Sequence, residues 1–200
     1  MLPRPGPATP TLLENRAEEN LRFIRETMDR SATFSAVPGV GGIAMGFLGL
    51  GAAVLAARET APSGWLLTWL AAAPVAAGCG VFFLLRKARA TATDVARGAG
   101  RRFALALVPP LLAGAALTAA LVTLRAFGVL PGLWLLLYGI AVLAAGAHSV
   151  PAVRIFGAAL LVLGFAALAA PFPAANALLG AGFGLGHVVT GAVVAKHHGG

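Results

Sequence analysis

The sequence is poor in charge. Asp, Glu, Lys and Arg make up 11% of its 200 residues, against about 25% in ordinary soluble domains. Hydrophobic residues make up 58%, and the mean hydropathy is +0.85. A water-soluble fold of this length has too little interior to bury so much apolar surface. The composition therefore excludes a soluble enzyme, a secreted scaffold and a disordered chain, and it predicts an integral membrane protein.

Residues that usually carry chemistry are also scarce. The single cysteine, Cys79, cannot form an intrachain disulfide, and we interpret it as an inert buried thiol. No Asp or Glu lies inside the long apolar runs, where ion-coupled transporters and proton pumps usually carry one. Nucleotide-binding loops, channel filters and hydrolase motifs are absent as well. We therefore predict no catalytic residue, no cofactor and no metal site, and we predict that the protein is not an enzyme.

The uncharged runs predict six membrane-spanning helices. Each is long enough for about 20 residues across a hydrocarbon core of about 30 Å. The last run, Ile155 to Ala195, would be about 60 Å long as one helix, so it must fold back, and Pro171 to Asn176 is its only strong helix breaker. The predicted spans are 34–57, 64–85, 103–124, 128–147, 152–170 and 175–195. The domain prediction is a six-helix transmembrane domain over 34–200.

The positive charges fall on alternate connections. Of the fifteen Lys and Arg residues, thirteen lie in the terminal segments, the 86–102 loop and the fourth connection, and only Arg58 and Arg125 lie on the opposite side. The positive-inside rule then places both termini in the cytoplasm. The abundance of Ala, Gly, Arg and Pro is typical of a GC-rich bacterial genome, so we expect the bacterial inner membrane.

The N-terminal segment has its own pattern. Residues 1–10 are rich in proline, and we expect a disordered tail. Over 11–30 the pattern predicts a cytoplasmic amphipathic helix that begins with a capping box of Thr11 and Glu14. Such a helix lies on the membrane or on its own bundle, or it docks a cytoplasmic protein or a second copy of the chain. Its apolar stripe consists of Leu13, Ala17, Leu21, Ile24 and Met28.

The predicted loop 86–102 carries six positive charges and one negative charge. Polybasic segments next to a span commonly bind anionic lipid headgroups, and this is the partner we expect here. The loop has no interleaved aromatic residues. We therefore do not expect it to bind nucleic acid.

Glycines recur four residues apart inside two of the predicted spans. Such pairs let helix backbones approach closely, either within one chain or between two copies. Packing within the chain is the prediction, and self-association through one such face is the alternative. The pairs are Gly42/Gly46, Gly180/Gly184 and Gly182/Gly186.

His187 is the one ionisable residue well inside a predicted span. Its neighbours on a helical face include Gly184, Thr190 and Gly191, and these four residues are the candidate functional residues. An intramembrane histidine is a candidate site by default. The other interpretation is a neutral imidazole that faces the bundle and is hydrogen-bonded to a carbonyl or hydroxyl of an adjacent span. A haem held by His148 and His187 is the least favoured alternative, because the two lie at different depths.

Two stretches resemble a known group of proteins. The segment ENLRFIRETM over 19–28, continuing DRSATFSAVPG to residue 39, and the segment GAGFGLGH over 180–187 resemble a family of small uncharacterised multi-pass membrane proteins of soil bacteria, acidobacteria among them. The resemblance implies a membrane protein of unknown function, and it carries over no activity and no site.

The sequence therefore predicts an all-α polytopic membrane helix bundle with six transmembrane helices and an N-terminal cytoplasmic amphipathic helix. The first functional hypothesis is a non-catalytic inner-membrane protein that acts by assembly or by docking a cytoplasmic partner. The alternative is a small permease or channel that uses the glycine-rich sixth span and His187.

Overall fold

The computed structural model describes residues 15–16, 19–24 and 34–198. In this part of the chain the regular structure is helical apart from one isolated bridge between Phe34 and Ser149. Six helical segments are long and apolar enough to cross a membrane, which confirms the all-α class and the number of spans. The first five are α1 Gly39–Ala56, α2 Pro62–Ala90, α3 Gly98–Thr123, α4 Leu130–Gly146, which a 3-10 turn Phe127–Val129 precedes, and α5 Pro151–Ala169; the sixth span consists of α6 Phe172–Leu179, a π-helical stretch Gly180–Gly186 and α7 His187–His198.

Three predicted helix boundaries were wrong. The first helix begins at Gly39, not at residue 34. The reason is that the main chain of Phe34 is hydrogen-bonded to the turn before α5. Its N–H donates to the His148 carbonyl, and its carbonyl accepts from Ser149 Oγ, both at 2.8 Å. The predicted loop 86–102 shrinks to residues 91–97, because α2 continues to Ala90 and α3 already begins at Gly98. Hydropathy marks where a helix meets water, whereas hydrogen bonding and packing decide where the helix stops.

Alternate connections meet at the same end of the bundle. Phe34, Ala88 and Ala99 form a small buried cluster there, and Lys87 Nζ donates to the carbonyls of Val37 at 3.0 Å and His198 at 2.8 Å. We call this end, with residues 34–38, 86–102, 147–154 and 196–198, the basic end. It is the arrangement that six spans require.

The helices pack in an incomplete ring. The order of neighbours is α2, α1, the sixth span, α5, α4 and α3. Although α2 and α3 are consecutive in the chain, they do not pack against each other along their length. A cleft therefore remains between them.

The glycine pairs pack within the chain, as predicted. A Cβ on Gly46 would lie 2.5 Å from Val188 Cγ2 and 2.7 Å from the Gly184 carbonyl oxygen, so α1 and the sixth span are in backbone contact. A Cβ on Gly182 would lie 2.5 Å from Leu135 Cδ2 of α4. Both faces of the glycine-rich stretch are thus used inside one chain.

Only part of the predicted N-terminal helix lies among the described residues. Residues 15–16 and 19–24 are helical, and the stripe members Leu21 and Ile24 are exposed. The predicted capping box, the rest of the stripe and the predicted tail 1–10 lie outside the described residues.

Candidate binding cleft

The cleft between α2 and α3 leads to a cavity of about 460 Å³. Its walls come from α2 and α3, and its floor comes from α1, α4 and the sixth span. A cavity of 300–1,000 Å³ that is mostly apolar and has a few polar groups is typical of small-molecule sites. The residues that line the cavity include Trp69, Leu70, Pro74, Pro110, Leu111, Gly114, Ala115, Thr118, Trp134, Tyr138, Phe183 and His187.

The floor carries a hydrogen-bonded pair. His187 Nε2 lies 2.9 Å from Tyr138 Oη, and His187 is only 8% exposed. The imidazole stacks on the Tyr138 ring at 5.5 Å between centroids, and the Phe156 ring meets its other side edge-on at 4.7 Å. The sequence prediction that His187 faces the bundle, with one ring nitrogen bonded to a hydroxyl of an adjacent span, is confirmed.

The second ring nitrogen of His187 has no such bond. Nδ1 is buried and has no hydrogen-bond partner among the described residues. The carbonyl groups of Gly182 and Phe183, one turn earlier in the same span, do lie close to the ring.

The local backbone explains how His187 reaches this position. The stretch Gly180–Gly186 is π-helical and ends immediately before His187. The wider π-helical turn is rare and often occurs at functional sites. Four of its seven residues are glycine, and Gly182 and Gly184 let the widened turn lie against Leu135 and Leu50 of its neighbours.

Hydrogen bonds also fix the two tryptophans of the cleft. Trp134 Nε1 donates to Thr118 Oγ1 at 2.8 Å, which joins α4 to α3. Trp69 Nε1 donates at 3.1 Å to Oδ1 of Asn176, which also accepts from Trp65 Nε1 at 2.8 Å. The Asn176 amide in turn donates to the Ala53 carbonyl at 3.2 Å. Asn176 therefore ties α1, α2 and α6 together at the end opposite the basic end.

The polar pair lies near the middle of the span. Tyr138 is eight residues from each end of α4 (130–146), which corresponds to about 12 Å at 1.5 Å per residue. Both walls carry proline inside the helix at a similar depth, Pro74 in α2 and Pro110 in α3. Leu70 and Leu111, at the mouth, are 46% and 47% exposed. The cleft therefore runs from an exposed apolar mouth to a buried polar floor.

Of the four candidate residues, only His187 lines the cavity. Gly184 and Gly191 pack on α1, where a Cβ would lie 2.6 Å from Leu50 Cδ2 and from the Gly39 carbonyl oxygen respectively. Thr190 is half-buried and lies outside the lining. The two glycines thus serve the packing of the sixth span against α1.

Sequence reasoning missed three polar residues that organise the bundle. Tyr138 is the only tyrosine in the chain, and Asn176 is a lone amide inside an apolar run; both were signals of buried hydrogen bonding. The prediction that Lys87 belongs to the headgroup-binding loop 86–102 is wrong, because Lys87 lies in α2, is 8% exposed and donates hydrogen bonds to two carbonyl groups.

Comparisons with known proteins add no relative. No protein-family model, no curated protein and no solved structure matches the chain. The resemblance to a family of membrane proteins from soil bacteria stays a prediction. Within residues 15–16, 19–24 and 34–198, no three His, Cys, Asp or Glu side chains are grouped so that they could hold a metal ion.

Proposed function

We propose that this protein is a non-catalytic membrane protein that binds a small lipophilic molecule from the bilayer. The observation that carries the proposal is the cavity between α2 and α3, which has the hydrogen-bonded pair of His187 and Tyr138 at its floor. The permease hypothesis also used His187 and the sixth span, and the present proposal adds that the ligand comes from the lipid phase.

The position of the mouth supports a lipid-phase ligand. Leu70 and Leu111 flank an opening at about mid-span, and the helices around it are apolar enough to lie in hydrocarbon. A water-soluble molecule would have to leave water, cross acyl chains and give up its hydration, which is costly for polar groups. An apolar molecule already dissolved in the membrane reaches the same opening without that cost.

The test uses the tryptophans of the chain as reporters. All three tryptophans lie in or beside the cleft, since Trp69 and Trp134 line it and Trp65 stacks on Trp134 at 5.3 Å. In reconstituted vesicles, bromododecane should quench their fluorescence saturably, above the linear quenching expected from random partitioning into the bilayer.

A matched pair of variants locates the binding. Ala115→Phe fills the cleft, whereas Ala116→Phe adds the same ring to the next residue, which is exposed and outside the lining. We expect saturable quenching to disappear in Ala115→Phe and to persist in Ala116→Phe. Linear quenching in the unmodified protein, or equal saturable quenching in both variants, would contradict the proposal.

We also propose that the basic end faces the cytoplasm of a bacterial inner membrane. The support is the charge asymmetry and the exposure of Arg89 and Arg97 at that end, where they can meet anionic headgroups. In a Cys79→Ala background, a cysteine at position 60 should react only with reagent added outside, and a cysteine at 93 only with reagent added inside. Labelling of both positions from one side would overturn this orientation.

Docking of a cytoplasmic protein is the second candidate function. It is favoured by the exposed apolar side chains of Leu21 and Ile24 on a helical segment. The test attaches a bimane probe to a cysteine at position 24, again in the Cys79→Ala background. The fluorescence emission should be that of a water-exposed probe in pure lipid vesicles, and it should shift to the blue in native membranes. A blue shift in both indicates that the helix lies on lipid, and water-like emission in both contradicts docking.

A further inference from the structure

We infer that the cleft selects uncharged lipophilic molecules that carry a hydroxyl group, and that it discriminates against molecules whose polar groups only accept hydrogen bonds. This inference rests on the proposed function and deepens it. The basis is a count of which hydrogen-bond donors and acceptors are already engaged around the cavity.

The side-chain donors of the described lining residues are engaged with the protein itself. Trp69 Nε1 donates to Asn176, and Trp134 Nε1 donates to Thr118 Oγ1. The hydroxyl of Thr118 donates to the Gly114 carbonyl at 2.7 Å. The main-chain N–H groups of this lining belong to helices and are used there. None of these donors is left for a ligand.

The side-chain donors that remain belong to His187 and Tyr138, and the tautomer of His187 decides where they point. Because Nε2 is bonded to Tyr138, we infer that Nδ1 is the ring nitrogen that faces the carbonyl groups of Gly182 and Phe183, which interact with the imidazole. These carbonyl oxygens attract a proton on Nδ1 and would repel a lone pair there. The favoured neutral tautomer therefore has its proton on Nδ1 and a lone pair on Nε2. The 2.9 Å contact is then an O–H of Tyr138 donating to Nε2. Nδ1 itself is buried beyond the reach of a molecule in the cleft.

Acceptors, in contrast, remain available. Tyr138 Oη keeps its lone pairs, because its one proton is given to His187. Thr118 Oγ1 accepts one hydrogen bond and has room for another. The Leu70 carbonyl lacks its helical donor, because Pro74 has no N–H. The polar side of the cavity therefore accepts hydrogen bonds and offers none.

This asymmetry defines the ligand class. A hydroxyl group finds acceptors, whereas the oxygen of a ketone, an ether or a quinone would be desolvated without a donor. A charged amine is disfavoured because no carboxylate lies among the described lining residues to balance it. At about 30 Å³ for each non-hydrogen atom, as for liquid water, the 460 Å³ cavity holds a molecule of about fifteen such atoms.

The experiment compares three probes of nearly equal length in the same vesicles: a bromododecanol with bromine at the far end, its methyl ether, and bromododecane. The readout is the mole fraction in the bilayer at half-maximal tryptophan quenching. We expect the alcohol to bind about three- to tenfold more tightly than the ether, which is the effect of one net hydrogen bond. In Tyr138→Phe this advantage should shrink, whereas in Phe82→Leu, an exposed position outside the lining, it should remain.

The possible results of this experiment separate the donor selection from the existence of the binding cleft. Equal saturable binding of all three probes to the unmodified protein, or tighter binding of the ether, overturns the donor selection and leaves the binding cleft standing. Absence of saturable quenching by every probe overturns the proposed function together with this inference. Because the comparison of alcohol and ether uses the unmodified protein, it stands even if Tyr138→Phe fails to fold.

Discussion

Two consecutive spans, α3 and α4, have the same hydropathy and very different surroundings. Both have a mean hydropathy of 2.1 over their most apolar window, yet 39% of the α4 window is buried inside the bundle against 6% of the α3 window. An apolar surface favours insertion of a helix into the membrane, but that surface is as stable against lipid as against another helix. Hydropathy therefore says nothing about which span forms the core and which one borders a cleft.

Small residues explain the difference. The tight contact between α4 and α5 uses glycine on both sides: a Cβ on Gly157 would lie 2.5 Å from the Leu143 nitrogen, and one on Gly139 would lie 3.1 Å from the Gly157 carbonyl oxygen. Gly114 of α3 has open space around it by comparison, with its nearest contact at 3.5 Å. Because association in lipid depends on close packing, α4 has become central and α3 peripheral.

The other wall of the cleft, α2, packs against α1 and is hydrogen-bonded to other parts of the bundle at both ends. At the end opposite the basic end, Trp65 and Trp69 of α2 donate to Asn176, and at the basic end Lys87 donates to Val37 and His198. Between these points Pro74 and the residues around it line the cavity. The bundle therefore has a closely packed side, α4 and α5, and an open side, α2 and α3, whose α2 wall is hydrogen-bonded at both ends.

The largest effect is expected at Asn176. Asn176→Leu leaves the buried N–H groups of Trp65 and Trp69 without an acceptor, and we expect the free energy of unfolding to fall by about 2–4 kcal/mol. Circular dichroism during unfolding in mixed micelles measures it. Adding Trp69→Phe to Asn176→Leu should recover part of the loss, because one orphaned donor is then gone. Unchanged stability in Asn176→Leu would mean that α2 is not held at this end.

Glycine-to-alanine changes should separate the two sides directly. Gly157→Ala places a methyl group against the Leu143 backbone, and we expect a loss of about 1–3 kcal/mol from overpacking. Gly78→Ala on α2 meets nothing within 4 Å, so its effect should be neutral or a gain of up to about 1 kcal/mol from helix propensity. Equal losses in the two variants would show that the packed and open sides do not differ.

Lys87 should contribute more to the free energy of unfolding than its charged neighbours do. Lys87→Met removes the donor to two carbonyl groups that link α2 to the segment before α1 and to the end of α7, and we expect a loss of about 1–2 kcal/mol. Arg89→Met, two residues later and exposed, removes the same charge at the same end. If thermal unfolding of the two variants coincides, the effect of Lys87 is one of charge and not of attachment.

At the floor of the cleft, Tyr138→Phe should destabilise the protein less than Lys87→Met does. Tyr138→Phe removes one hydrogen bond to His187 and should cost about 0.5–1.5 kcal/mol. His187→Gln can still accept from Tyr138 and should remain near the unmodified protein, whereas His187→Leu should cost about 1–3 kcal/mol, because Tyr138 then loses its partner. A double-mutant cycle of Tyr138→Phe with His187→Leu should give a nonzero coupling energy. Strict additivity would mean that the two side chains do not interact.

The sequence by itself determined the class of the fold, the number of spans and the grouping of basic residues on alternate connections. It also indicated that His187 faces the bundle and that the glycine pairs serve close packing. These features follow from composition, from run length against bilayer thickness and from the cost of burying a lone imidazole in lipid, all of which are local along the chain.

Only the tertiary structure decided which helices meet. That His187 pairs with Tyr138, 49 residues away, that Asn176 accepts from two tryptophans more than 100 residues away, and that Lys87 turns inward depend on contacts between distant segments. The cleft itself exists because α2 and α3 do not pack against each other along their length. In lipid every apolar face is satisfied equally well, so close backbone approach and a few hydrogen bonds select the neighbours, and their partners cannot be read from periodicity.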